Sequence, residues 1–233
     1  MPGSWGEFGA LATAMMSLSA AICYWLVFAT REAKGPVGAT VKTASTGLLA
    51  ALALTMPQGG GFWLVPLGLA LGALGDLFLA LGGVRLFLAG VAVFGLGHLA
   101  YAGGFLWRAE ALGFDGLSGV EIAALAGLLA LLASTELWLA PRTGGLRGPV
   151  RVYVGLIGLM GVAVLLFPAH PGQGVLRLGA GLFLASDLML AVQMFVVRRA
   201  ATKRGLALAL WPAYWTGQAL IVWGAVLAWQ AGA

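Results

Sequence analysis

Apolar residues arrive in this chain as long runs without alternation, each near the length that a bilayer core demands. That feature excludes most folds. A hydrocarbon core of roughly 30 Å takes about 20 apolar residues per helix, while a membrane β-barrel would need an in-out period of two, which these runs lack. Splitting the chain at charged or Gly/Pro-rich breaks predicts eight spans, at about 8–29, 37–56, 62–81, 85–106, 117–139, 150–168, 174–197 and 206–229. The breaks have local causes: Arg31-Glu32-Ala33-Lys34-Gly35-Pro36 is charged and ends in a helix breaker, and Pro57-Gln58-Gly59-Gly60-Gly61 cannot propagate a helix. Pro168-Ala169-His170-Pro171-Gly172 acts in the same way. With 61% apolar and 9% charged residues among 233, the chain lies far outside the composition of a soluble domain. It is predicted to be all-α, a polytopic integral membrane protein with one transmembrane domain over 1–233. The first run lacks a basic leader and is too long for a signal sequence, so it reads as a retained helix.

The basic residues test this segmentation, because cytoplasmic loops hold an excess of Lys and Arg. Arg31, Lys34, Arg85, Arg142, Arg147, Arg151, Arg198, Arg199, Lys203 and Arg204 fall in or beside the odd-numbered loops, whereas the even-numbered loops carry Arg108 and Arg177. Both termini are therefore predicted outside, as in a bacterial-type cytoplasmic membrane. The formal charge of +5 forms no basic stripe, and no nucleic-acid partner is expected. The single cysteine, Cys23, allows no disulfide framework.

Two segments echo each other. Leu74-Gly75-Asp76-Leu77-Phe78-Leu79-Ala80 matches Ala185-Ser186-Asp187-Leu188-Met189-Leu190-Ala191, Gly97-His98-Leu99 matches Gly217-Gln218-Ala219, and Val41-Lys42 faces Val150-Arg151. Corresponding helices are four apart and point the same way, which suggests a four-plus-four parallel repeat with halves 1–110 and 111–233.

A charge at the middle of a span costs about 2.5–3.5 kcal/mol on insertion scales, so each one kept there is a functional candidate. Asp76 and Asp187 are the strongest. Lys42 has Ser45 and Thr46 on its helical face, His98 has Tyr101 nearby, and Tyr214 and Gln218 share a face. With alternating helix directions, all fall near the midplane or in the cytoplasmic half, so one polar pocket opening toward the cytoplasmic leaflet is predicted. Gly68, Gly72 and Gly75 approach Asp76 at small-xxx-small spacing and predict close packing of that face. Glu136 and Arg151 also admit an interfacial reading, in which each simply reaches the membrane surface. The chain has two histidines, with His170 in a Pro-rich outer turn, so neither a His-rich zinc site nor a cofactor is expected. What remains is carboxylate chemistry.

Lys42, the Leu-Gly-Asp-Leu-Phe-Leu run at Asp76, Gly-His-Leu-Ala-Tyr over 97–101, Ser-Asp-Leu-Met-Leu at Asp187, and Tyr214 followed by Gly217-Gln218 resemble the YhhN family of transmembrane lysoplasmalogenases. The resemblance runs over nearly the whole chain. It implies hydrolysis of the vinyl ether bond of a lysoplasmalogen, or of a related lysophospholipid, to a fatty aldehyde and a glycerophospho-alcohol. It also implies that Asp76 and Asp187 are the active-site pair. Many members read Lys-Pro where this chain has Lys42-Thr43, so the bend which that proline would impose is not expected.

Vinyl ether cleavage begins with protonation of the β-carbon, so it needs an acid that keeps its proton near neutral pH. Desolvation in an apolar pocket favours the neutral form of a carboxyl, and a second, ionised carboxylate can stabilise the cation and orient water. Lys42 with Arg151 is expected to meet the substrate phosphate. His98, Tyr101, Tyr214, Gln218 and Ser186 are expected to bind or orient the reactants. A proton-coupled transporter or lipid-binding protein would use the same buried aspartates, and a purely structural protein would tolerate their replacement by Asn.

Overall fold

The computed structural model describes residues 3–31, 35–56, 59–114 and 116–230. Lys34 and Pro57-Gln58, on which two of the expected breaks rest, lie outside the described residues. Eight α-helices follow in order: α1 (Gly3–Val27), α2 (Gly35–Leu54), α3 (Leu64–Leu81), α4 (Val84–Leu112), α5 (Gly119–Trp138), α6 (Arg147–Leu165), α7 (Gln173–Ala191) and α8 (Ala200–Gln230). No strand occurs among the described residues. Among the described residues, seven helices are long and apolar enough to cross a membrane, and α8 is not among them. Its Lys203, Arg204, Pro212, Thr216 and Gln218 dilute the apolar run. Large apolar side chains lie bare on the outside, Leu137 at 81% and Leu26 at 71% exposure, as expected for a surface that meets lipid.

The helix ends have legible causes. Gly82 and Gly83, at φ of 77° and 87°, make a two-residue turn between α3 and α4 that residues with a Cβ would resist. Ser118 and Glu121 close a reciprocal capping box at the start of α5. After α7 the chain takes one π turn, Val192–Val196, before α8 begins. α8 starts six residues earlier than the sequence predicts, because 200–205, which include Thr202, Lys203 and Arg204, are helical.

α2, α3, α4, α6, α7 and α8 form the body, while α1 packs on α2 and α8, and α5 packs chiefly on α6. Two helix crossings are close. A Cβ at Gly97 of α4 would stand 3.2 Å from the Gly68 carbonyl oxygen of α3, and a Cβ at Gly217 of α8 would stand 2.8 Å from that of Gly179 on α7. Asp76 and Asp187 each lie eight residues beyond the glycine at their crossing, so both carboxyls emerge about two turns past a point of tight backbone contact.

α1 is fastened to α8 by a ladder of indoles. Trp215 Nε1 donates to Ser17 Oγ (3.2 Å), Trp211 Nε1 to the Ala21 carbonyl (2.9 Å) and Trp25 Nε1 to the Leu208 carbonyl (2.9 Å). The last bond has a cause in the sequence. Pro212 has no N–H to offer the carbonyl four residues back, which is that of Leu208, and the indole takes its place.

Candidate active site

α2 brings Lys42 to Asp76 of α3, with Nζ 2.9 Å from Oδ1. The other oxygen, Oδ2, accepts from Thr46 Oγ1 at 3.0 Å and from Tyr214 OH at 2.9 Å. All three partners present hydrogens, an arrangement complementary to a carboxylate. Lys42 and Thr46 reach the same group because they are one turn apart on α2. The ammonium also stands 5.7 Å from the ring of Trp211 and 6.0 Å from that of Tyr24, near enough for cation–π attraction. Its helical turn is held in place by Ser45 Oγ, which donates to the Lys42 carbonyl (2.7 Å), while Ser17 Oγ donates to that of Ser45 (2.6 Å).

α8 continues the network inward. Tyr101 OH of α4 donates to Gln218 Oε1, Gln218 Nε2 donates to Tyr214 OH at 3.3 Å, and Tyr214 donates to Asp76. Tyr101 and Gln218 are fully buried and reach Asp76 only through Tyr214. The glycine face of α3 makes this approach available: a Cβ at Gly72 would lie 2.9 Å from Gln218 Nε2, one at Gly68 2.8 Å from the Tyr101 ring, and one at Gly75 2.5 Å from the Phe94 ring. The expected close packing of this face is therefore present.

Asp187 has a different company. His98 Nε2 lies 3.0 Å from Asp187 Oδ2 and 3.3 Å from Tyr153 OH, and His98 Nδ1 lies 3.1 Å from Met160 Sδ. The imidazole is fully buried and packs on Phe183, with ring centroids 4.7 Å apart. An imidazole nitrogen and a phenol can each accept as well as donate, so the surroundings of Asp187 are amphoteric where those of Asp76 are donors alone.

Asp76 and Asp187 line one partly open chamber together with Lys42, Ser186, Trp211 and Tyr214. It lies where α3 and α7 end and α2 and α8 begin, the end of the bundle whose loops hold most of the basic residues. Ser186 lines the chamber although its hydroxyl is bonded to the Phe183 carbonyl at 2.7 Å. Arg151 is apart: it clasps Glu136 on the exposed side of α6, with Nε 2.8 Å from Oε1, and does not line this chamber. α2 runs unbroken through Lys42-Thr43, and Thr43 Oγ1 is the one buried side-chain polar atom without a partner among the described residues. No cluster of three or more His, Cys, Asp or Glu that could hold a metal ion occurs among the described residues.

Tyr153 is absent from the residues that the sequence singles out, and so are Tyr24 and Trp211 beside Lys42. A signal existed, since the chain has four tyrosines: Tyr24, Tyr153 and Tyr214 stand beside Lys42, His98 and Asp76, and Tyr101 is linked to Asp76 through Gln218 and Tyr214. A phenol inside an apolar helix needs a partner, just as a charge does.

No curated protein and no solved structure matches the chain. A family model does, that of the YhhN family, over residues 37–225. This match takes in α2 through most of α8, and with them Lys42, Asp76, His98, Asp187 and Gln218. By the extent of that match and the residues gathered within it, the chain belongs to the YhhN family.

Proposed function

We propose that this protein is a membrane-embedded hydrolase that cleaves the vinyl ether bond of a lysoplasmalogen, or of a closely related ether lysophospholipid, to a fatty aldehyde and a glycerophospho-alcohol. Family membership supports the reaction class. The observation that carries the reading is the unequal partnering of two carboxyls on one chamber, three donors at Asp76 against an amphoteric pair at Asp187.

On this reading Asp187 is the acid. It protonates the β-carbon of the vinyl ether, leaving an oxocarbenium ion on the α-carbon and ether oxygen. Water adds to that carbon and its proton returns to Asp187 or His98. The hemiacetal then collapses to the aldehyde and the free alcohol, so one water is consumed and the acid is regenerated. Asp76 stays charged and stabilises the developing cation, while Lys42, whose side chain keeps 14% exposure, has further N–H groups for the substrate phosphate. Tyr214 fixes Asp76, with Gln218 and Tyr101 behind it. Eight spans in a four-plus-four repeat, with the chamber toward the cytoplasmic leaflet, complete the proposal; the paired glycine crossings and the distribution of basic residues support it.

The test is aldehyde release from lysoplasmalogen by purified protein in detergent, identified by mass. Asp187→Asn and Asp76→Asn should each lower it by about a hundredfold or more. Full activity in folded variants would overturn the mechanism. Proton-coupled lipid flux in proteoliposomes without aldehyde would favour a carrier instead.

A further inference from the structure

A second cavity joins the polar chamber. Leu79, Phe87, Phe94, Asp187, Leu190 and Met194 wall both, so Asp187 stands at the junction. The second cavity extends away between α5, lining it from Leu128 to Leu139, and α6, lining it from Val150 to Ile157. Its walls are Leu, Val, Ile and Phe almost throughout, and the hydroxyl of Thr135, one of its few polar groups, is spent on the Leu132 carbonyl at 2.6 Å. Along α5 and the residue after it the lining side chains span about 16 Å, comparable with the length of much of a lipid chain. Its inner end is a floor: Leu128 and Leu184 meet over Gly161, where a Cβ would stand 2.8 Å from one and 3.1 Å from the other.

The wall that α5 provides is lightly held. α1 is bound to α8 along its length by three indole bonds, whereas α5 is tied across to α7 at its start by Glu121 and Arg177 (2.6 Å) and to α6 near its end by Glu136 and Arg151. Between these ties, α5 leaves most of its surface bare.

Resting on the hydrolase reading for the identity of the head group, we propose that this cavity seats the single aliphatic chain of the substrate. The chain enters from the bilayer past α5, and Leu128 and Leu184 set its accepted length. A head group at Lys42 and a chain in the apolar cavity would thread an amphiphile past Asp187, which places the bond between head and tail at the acid.

Two measurements test this on the full-length protein. In the first, an ester-linked lysophosphatidylcholine with a diazirine at the chain end, which has no vinyl ether to cleave, is photolysed with the protein in phosphatidylcholine nanodiscs. Adducts should map to the cavity-lining side chains Leu128, Leu132, Val154, Ile157 and Leu184 and should fall about tenfold in Ile157→Trp. Adducts confined to bare outer residues such as Leu129 and Leu137, or unchanged by Ile157→Trp, would overturn the proposal. In the second, the ratio of aldehyde released from long-chain to that from short-chain lysoplasmalogen should fall about tenfold in Ile157→Trp and rise in Leu128→Ala, while Leu137→Trp leaves it unmoved. An unmoved ratio in both cavity variants would also overturn it. If no lipid yields aldehyde, the reaction is refuted, and the adduct map alone decides whether a chain sits here.

Discussion

Nε2 of His98 lies 3.0 Å from Oδ2 of Asp187, although 89 residues of chain separate them. The contact ties α4 to α7 at the point where the two cavities meet. Replacing His98 by Asn should lower kcat/KM for aldehyde release by about a hundredfold, the scale of a lost proton-transfer partner. Tyr153→Phe should lower it less, by about tenfold, because it removes one polar contact. Steady-state kinetics of both variants in detergent would check this. A Tyr153→Phe enzyme weaker than His98→Asn would reverse the order of importance assigned here.

The Lys42–Asp76 pair sets a different test, since removing one partner of a buried ion pair leaves the other uncompensated. Lys42→Met should destabilise the protein by about 3–5 kcal/mol. The double variant Lys42→Met with Asp76→Asn should recover much of that loss, because no lone charge remains, yet it should stay inactive. Thermal melts beside aldehyde assays would separate the two effects. Recovery of activity in the double variant would mean that the pair is structural.

At the α7–α8 crossing there is no room for a methyl group. Gly217→Ala would set its Cβ 2.8 Å from a carbonyl oxygen of the facing helix, and overpacking of this kind costs about 1–3 kcal/mol. Gly155→Ala on α6 meets nothing within 4 Å, and there the higher helix propensity of alanine should add up to about 1 kcal/mol. Melting temperatures of the two variants should therefore move in opposite directions.

The bond from Trp25 to the Leu208 carbonyl predicts a coupling between a tryptophan and a proline that share no bond. Trp25→Phe should destabilise the native protein by about 1 kcal/mol. In a Pro212→Ala background the helix supplies its own donor to that carbonyl, and the same change should cost less. A double-mutant cycle on thermal stability measures the difference. Equal costs in both backgrounds would show that the indole is not filling the gap left by the proline.

Much of this could be read from the chain alone. Intramembrane carboxylates are too costly to be incidental, which is why Asp76 and Asp187 stand out in the sequence. The glycines at 68, 72 and 75 announced a packed face for the same kind of reason, as only small residues let helices approach so closely. The partners were harder. Helices that are apolar on nearly every side do not reveal how they are rotated about their axes, so the sequence could not show that Lys42 spends itself on Asp76 or that Arg151 turns outward to Glu136. Tyr153 carries no charge, so the cost of burying charge, which singles out the aspartates, gives no signal for it. The early start of α8 was missed because lysine and arginine in its first turns resemble a loop in composition while remaining good helix formers.

The turn from Val192 to Val196, closed by the bond from the Val197 N–H to the Val192 carbonyl at 2.9 Å, carries one residue more than a regular helical turn. Met194 of that turn borders both cavities, and Gln193 and Phe195 border one each. Deleting a single residue here would let the turn relax to ordinary pitch and swing those three side chains by roughly 100° about the helix axis. The register of α7 against its own exit is thus fixed by one added residue, and length variation at this place would retune the mouth of the chamber without altering any residue that touches Asp187.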